Sequence, residues 1–157
     1  GLSRVRENVG LRGRMECLNR DPLMLCDVGH NEAGVQYILQ QLAEVDPADL
    51  HIIWGMVSDK DHEKILKLLP VEASYYWTRP SVPRGLPAEQ LEIKGQAVGL
   101  SGTHTETVGE AIDHARSVAG TDQVIFIGGS TFTVADALTY LSKEGLQSAH
   151  QPIKTGS

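Results

Sequence analysis

The stretch LMLCDVGHNEAG, residues 23–34, turns from apolar to polar within a few positions and gathers Asp27, His30, Asn31 and Glu32 around Gly29 and Gly34. A carboxylate and an imidazole three residues apart across a glycine can accept, donate and relay protons. Three further polar clusters share its position at the end of an apolar run: Ser58 to Asp61 (SDKD), Thr78 with Arg79, and Gly129 with Ser130 (GGS). In the last, a glycine turn opens onto a helix start whose free N–H groups can accept an anion. Each cluster also has a plainer reading. Asp27 or Asn31, and Ser58 or Asp59, can cap the following helix, with Asp61 complementing its dipole, and His30 can be a packed, hydrogen-bonded histidine. Asp59, Asp61 and His62 could ligate a metal, but a capped helix start explains them with fewer assumptions, so no metal site is assigned to this chain.

The elements that must hold these groups follow from the hydrophobic pattern. From Met15 onward, short apolar runs alternate with segments of helical spacing, the signature of an α/β domain with a mainly parallel sheet. Met15 to Asn19 reads as a short antiparallel edge strand and Leu23 to Asp27 as the first buried one. Val35, Ile38, Leu39 and Leu42 make one helical stripe, ended by Asp46-Pro47, and Val108, Ala111, Ile112 and Ala115 make another. Leu50 to Val57, Ala73 to Thr78 and Gln123 to Gly129 read as further strands, and Ile65, Leu66 and Leu69 as the inward face of a helix closed by Pro70. RPSVPRGLP is a rigid loop before a short helix near Ala88 to Leu91, and STFTVADALTYL is the helix after the last strand. The expected architecture is a Rossmann-like, three-layer α/β domain: a mostly parallel sheet, an antiparallel edge strand, and helices on both faces. In such sheets the ligand crevice lies outside the carboxyl ends of the strands, so the four polar clusters should converge there.

Composition bounds the function. With 157 residues the chain suits one domain, and 41% hydrophobic with 22% charged residues is ordinary globular usage. No apolar run approaches the roughly 18 residues of a spanning helix. The net charge of -6 would repel a phosphate backbone, which disfavours nucleic acid as a partner. Cys17 and Cys26 sit in strands, outside any paired-cysteine motif, and read as buried free thiols. GxxxxGK[ST], GxGxxG, GxSxG and HExxH are all missing, so the chain offers no phosphate loop, no self-sufficient dinucleotide site and no hydrolase or zinc motif of its own. The polar, glycine-containing opening GLSRVRENVGLRGR and the tail HQPIKTGS read as segments flanking a domain.

Taken in order, GRMECLNRDPLMLCDVGHN, GMVSDKD, RPSVPRGLPAEQL and IGGSTFTVADAL resemble the C-terminal domain of folylpolyglutamate synthase and dihydrofolate synthase, a branch of the Mur ligase superfamily. The match runs from Gly13 to about Leu141. The resemblance implies that residues 1–13 are a linker from an N-terminal ATPase domain carrying the phosphate loop, the Mg2+ ligands and most of the folate site. Residues 14–145 are then the ligase domain and 146–157 a flexible tail. In such enzymes ATP converts a terminal carboxylate to an acyl phosphate, and the amino group of L-glutamate attacks it to form an amide. The partners implied are ATP with Mg2+, L-glutamate, a folate or dihydropteroate, and the chain's own N-terminal domain, in a cytoplasmic monomer with no membrane attachment, the fragment alone being inactive.

Carried over by position, Arg14 and Asp27 contact ATP; His30 lies near the phosphates or the glutamate; Lys60, with Asp61 in the DKD motif, organises the reacting groups; and Ser130 faces the glutamate. His30 and Lys60 are the candidates for a catalytic role. Two positions depart from the pattern: Gly29 stands where alanine is usual, and Glu32 stands where proline is common, bringing a negative charge beside the phosphates. The DKD form favours the folate enzymes over the cell-wall Mur ligases, whose corresponding motif more often has arginine. A cell-wall Mur ligase C-terminal domain and a non-catalytic nucleotide-binding module are the alternatives, separated by acceptor preference and by the ATP affinity of the isolated chain.

Overall fold

The computed structural model describes residues 15–150, by backbone alone for 146–150. Its strands are β1 (Glu16–Arg20), β2 (Leu23–Cys26), β3 (Leu50–Trp54), β4 (Ser74–Trp77), β5 (Ser101–His104) and β6 (Val124–Gly128). Its helices are α1 (Glu32–Gln41), α2 (His62–Leu66), α3 (Ala88–Ala97), α4 (Val108–Val118) and α5 (Thr131–His150). The strands form one sheet in the order β1-β2-β6-β3-β4-β5. Only β1 runs antiparallel, paired with β2 through a bulge between Cys17 and Asn19; the other pairings are parallel.

The side-chain period of two explains the three layers. Leu23, Leu25, Ile52, Trp54, Tyr75 and Phe126 share a core with Val35 and Ile38 of α1, Ile65 and Leu66 of α2, and Leu91 of α3. The alternate residues Met24, Cys26, Ile53, Tyr76, Ile125 and Ile127 pack with the Val108, Ala111, Ile112 and Ala115 stripe of α4 and with Val134 and Ala137 of α5. A sheet covered on both faces buries every strand position, and β2, β3 and β6 are buried throughout, their one polar member, His51, bonded to Tyr76 and Gln123. The chain crosses from β5 at the far edge back to β6, which inserts between β2 and β3 and sends its helix to the opposite face from theirs. The order of winding therefore switches on both sides of β6, and the carboxyl ends of β2, β6 and β3 frame the crevice.

Several local expectations shift. The polar edge strand β5 was not anticipated; its SGTH sequence has no apolar run and is largely exposed. Helix α3 continues to Ala97, beyond the short helix expected near Ala88 to Leu91. Helix α1 ends at Gln41, and Asp46 instead caps a 3-10 turn at Pro47–Asp49 by accepting from Ala48 N at 3.0 Å. The expected boundary at 145 falls within α5, whose backbone stays helical to His150. The linker assigned to 1–13, Arg14, and 151–157 lie outside the described residues. Among the described residues, no helix is long and apolar enough to cross a membrane.

Helix α4 opens with a reciprocal capping box: Thr107 Oγ1 accepts from Glu110 N at 3.1 Å, and Glu110 Oε1 accepts from Thr107 N at 3.1 Å. Thr107→Ala should cost about 1 kcal/mol of unfolding free energy in urea; an unchanged midpoint would show that the cap does not matter. The thiols should also differ. Cys26 is buried, and burial with the nearby Glu16 and Asp27 carboxylates pushes its pKa up to about 12, whereas Cys17 is half-buried. Near about pH 8 a thiol reagent should modify Cys17 in the folded protein and reach Cys26 only after unfolding, as peptide mass spectrometry would read.

Candidate functional site

Asp27 closes β2. Its N–H donates to Ile127 O at 3.3 Å, extending the parallel ladder, and its Oδ1 accepts from Gly29 N at 2.8 Å, tightening the turn. The cap of α1 is Asn31, whose Oδ1 accepts from Gly34 N at 2.8 Å. Capping therefore accounts for Asn31, while the buried Asp27 carboxylate braces the turn. This turn walls a hollow of about 460 Å³ lined by Asp27, His30, Asn31 and Gly34. His30 is exposed, and its Nδ1 lies 3.2 Å from Val28 O. A carbonyl only accepts, so Nδ1 is the donor in this contact and Nε2 faces away from it.

The loop after β3 carries the SDKD cluster. Here Asp61 caps α2, accepting from Lys64 N at 3.3 Å, in place of the expected Ser58 or Asp59. Asp59 pairs with Arg84 at 3.3 Å, and His62 Nε2 bonds Val57 O at 2.8 Å. The three groups weighed as metal ligands are thus each engaged elsewhere. Lys60 is exposed and has no carboxylate partner among the described residues. The loop is stitched to the Pro-rich loop that follows β4: Leu86 N donates to Met56 O at 2.8 Å, Val57 bridges Gly85, and Ser58 N donates to Arg84 O at 2.8 Å. This two-stranded ribbon places Lys60 and Arg84 on one side of the crevice.

The turn from β6 to α5 supplies the other side. Gly129 has φ +102°, a left-handed conformation that glycine adopts without strain. Ser130 follows, buried, with its Oγ accepting from Thr133 N at 3.0 Å in a helix cap. Thr133 Oγ1 donates to Gly55 O at 2.9 Å, so the 3.0 Å contact between the two hydroxyls has Ser130 as donor. The hydroxyl proton of Ser130 is therefore held within the turn, and what α5 offers the crevice is its first-turn N–H groups.

These parts meet. A hollow of about 300 Å³ is lined by His30, Lys60, Arg84, Ser130, Thr131 and Phe132, with the Arg84 guanidinium 5.3 Å from the Phe132 ring centre. A third hollow, of about 230 Å³, has His30, Glu32, Lys60 and Lys64 in its walls. His30 is common to all three, and Lys60 to two. Glu32, expected to set a negative charge beside the phosphates, is paired with Lys64 at 3.0 Å, and that hydrogen bond pushes the Lys64 pKa up. The pair is exposed and contributes little to stability, but it offsets the charge where it matters.

Of the four clusters expected to converge, three do. The fourth diverges: Thr78 is buried, and Arg79 opens onto a separate small hollow with Glu89 and His104. Its place is taken by Arg84, which sequence reasoning passed over; the only signal was a cation inside a proline-rich loop.

The pattern of the Mur ligase glutamate ligase domain matches residues 13–131. The chain belongs to this family. The glutamate ligase domain described here is 29% identical to a probable bifunctional folylpolyglutamate synthase/dihydropteroate synthase of Haloferax volcanii, over 97% of this chain and 18% of that protein. It superposes on Escherichia coli FolC in complex with DHPP and ADP with a TM-score of 0.73 at 25% identity, covering 85% of this chain and 32% of that one. A folylpolyglutamate synthase/dihydrofolate synthase with Mn, AMPPNP and L-glutamate bound gives 0.72 at 31% identity, covering 83% and 31%. The glutamate ligase domain thus spans about a fifth to a third of the length of these relatives.

Proposed function

We propose that this chain is the C-terminal domain of an ATP-dependent folate ligase that adds L-glutamate to (tetrahydro)folate polyglutamates, to dihydropteroate, or to both. The observation that carries the reading is the placement of His30, the wall common to the hollow of Asp27 and the hollow of Lys60 and Arg84. In this reading the first hollow takes part of ATP and the second takes the amino acid. About 460 Å³ is in the range of small-molecule sites, and the buried Asp27 carboxylate can accept from a ribose hydroxyl or an exocyclic amine, with Arg14 as its partner toward ATP.

The reaction runs in two steps. A carboxylate oxygen of the acceptor attacks the γ-phosphorus of ATP, giving an acyl phosphate and ADP. The glutamate amine then attacks the acyl carbon, phosphate leaves with the electrons of the C–O bond, and the nitrogen gives up a proton. Lys60 and Arg84 offer two cations to the two carboxylates of glutamate, and the first-turn N–H groups of α5 add neutral donors. Ser130 shapes this wall. His30, when neutral with its lone pair on Nε2, is positioned to take the amine proton. Mg2+ would screen the phosphate charge; its ligands belong in this reading to the companion N-terminal domain, and among the described residues no three His, Cys, Asp or Glu side chains cluster to hold it.

The test is the full-length protein that carries this chain, supplied with ATP, Mg2+, L-glutamate and a pteroate or folate. ADP release dependent on both glutamate and acceptor is expected. No release above background with any of these acceptors overturns the assignment, and a preference for a UDP-muramoyl acceptor moves it to the cell-wall enzymes. The 157 residues alone should release none.

A further inference from the structure

Thr133 is fully buried at the third position of α5. Its hydroxyl hydrogen goes to Gly55 O at 2.9 Å, and its oxygen receives the Ser130 hydroxyl at 3.0 Å. Gly55 is where β3 gives way to the loop bearing Lys60, and that junction has no slack. Gly55 N donates to Gly128 O at 3.2 Å, and a Cβ on Gly55 would lie 2.7 Å from Thr133 Oγ1. Immediately beyond, Met56 to Ser58 pair with Arg84 to Leu86, so whatever fixes Gly55 fixes the ribbon that carries both cations.

We infer that Thr133 is a positioning residue for amino-acid binding: its hydroxyl latches the Lys60 and Arg84 ribbon to the first turn of α5 and so sets the width of the hollow between them. It touches no reactant. Its effect runs through the Gly55 carbonyl, which without the hydroxyl would be a buried acceptor lacking its side-chain donor. The role in glutamate binding rests on the reading proposed above; the latch itself does not.

Thr133→Val in the full-length protein keeps shape and removes the donor. Hydrogen exchange read by mass spectrometry should rise by about tenfold or more in peptides covering 55–60, with peptides over α4 unchanged. In the ligase assay the KM for glutamate should rise by about fivefold or more while the KM for ATP stays within about twofold, and Thr133→Ser should restore both readouts. A purely structural role would lower the unfolding midpoint and leave the glutamate KM alone. Unchanged exchange in 55–60, or an unchanged glutamate KM in an active enzyme, overturns the inference. An inactive wild-type enzyme sinks the ligase reading instead and leaves the exchange result to decide the latch. Thr133→Cys, of similar volume and a weaker donor, is read by the same criteria should the valine variant not fold.

Discussion

Gly129→Val should cost the domain about 3–5 kcal/mol, the sum of a left-handed backbone that a β-branched residue resists and a clash in a packed turn. The position has φ +102°, and a Cβ there would lie 2.5 Å from Gly55 O and 3.0 Å from Trp54 Cε2. Neither neighbour can give way cheaply. The Gly55 carbonyl is held by Thr133, and Trp54 is 1% exposed in the core. Relief would have to come from lifting the β6 to α5 turn, which would carry Ser130 and the α5 N-terminus away from Lys60. Urea unfolding measures the loss, and a cost below about 1 kcal/mol would show that the turn relaxes freely.

In the proposed full-length ligase, Lys60→Ala and Asp27→Ala should fail in opposite ways. A hydrogen bond to a charged group is worth about 1.5–3 kcal/mol, so Lys60→Ala should lower kcat/KM for glutamate by about 10- to 100-fold with the KM for ATP within about twofold. Asp27→Ala should raise the KM for ATP and spare that for glutamate, because Asp27 lines only the first hollow and Lys60 only the other two. Steady-state kinetics in each substrate separates the cases. If both variants raised the same KM, the division of the crevice into a nucleotide side and an amino-acid side would be wrong.

Where the sequence was legible, burial made it so. Strands β2, β3 and β6 are buried at every position because helices cover both faces of the sheet, and all but His51 of β3 are apolar or glycine; α4 shows its stripe because one face alone meets that sheet. The edge strand β5 gave no such signal. It packs little, and its Gly102 lies so close to the Tyr75 backbone that no side chain fits, which in sequence looks like a loop. Helix α3 gives a weak signal for a related reason: it buries only Ala88, Leu91 and Gly95, the last against the Trp77 ring.

The site divides the same way. His30, Lys60 and Ser130 follow the carboxyl ends of strands that the pattern reads as parallel, where polar clusters are expected to converge. Arg84 reaches them through pairing between two loops distant in sequence, and that pairing has no periodicity to read. The cap of α2 lies two or three residues past the expected position because Ser58, Asp59 and Asp61 are all competent caps; the ribbon holds the Ser58 N–H, Arg84 holds the Asp59 carboxylate, and Asp61 caps the helix.

The Pro-rich loop between β4 and α3 is fastened at both ends. Asp136 of α5 accepts from Ser81 N and Ser81 Oγ, each at 2.7 Å, and the far end is paired to residues 56–58. A segment held this way has little conformational freedom left to surrender on binding the proposed dicarboxylate. Recognition by Arg84 should then carry a small entropic penalty, and selectivity among amino acids should follow charge and length more than any ability of the loop to mould itself around them.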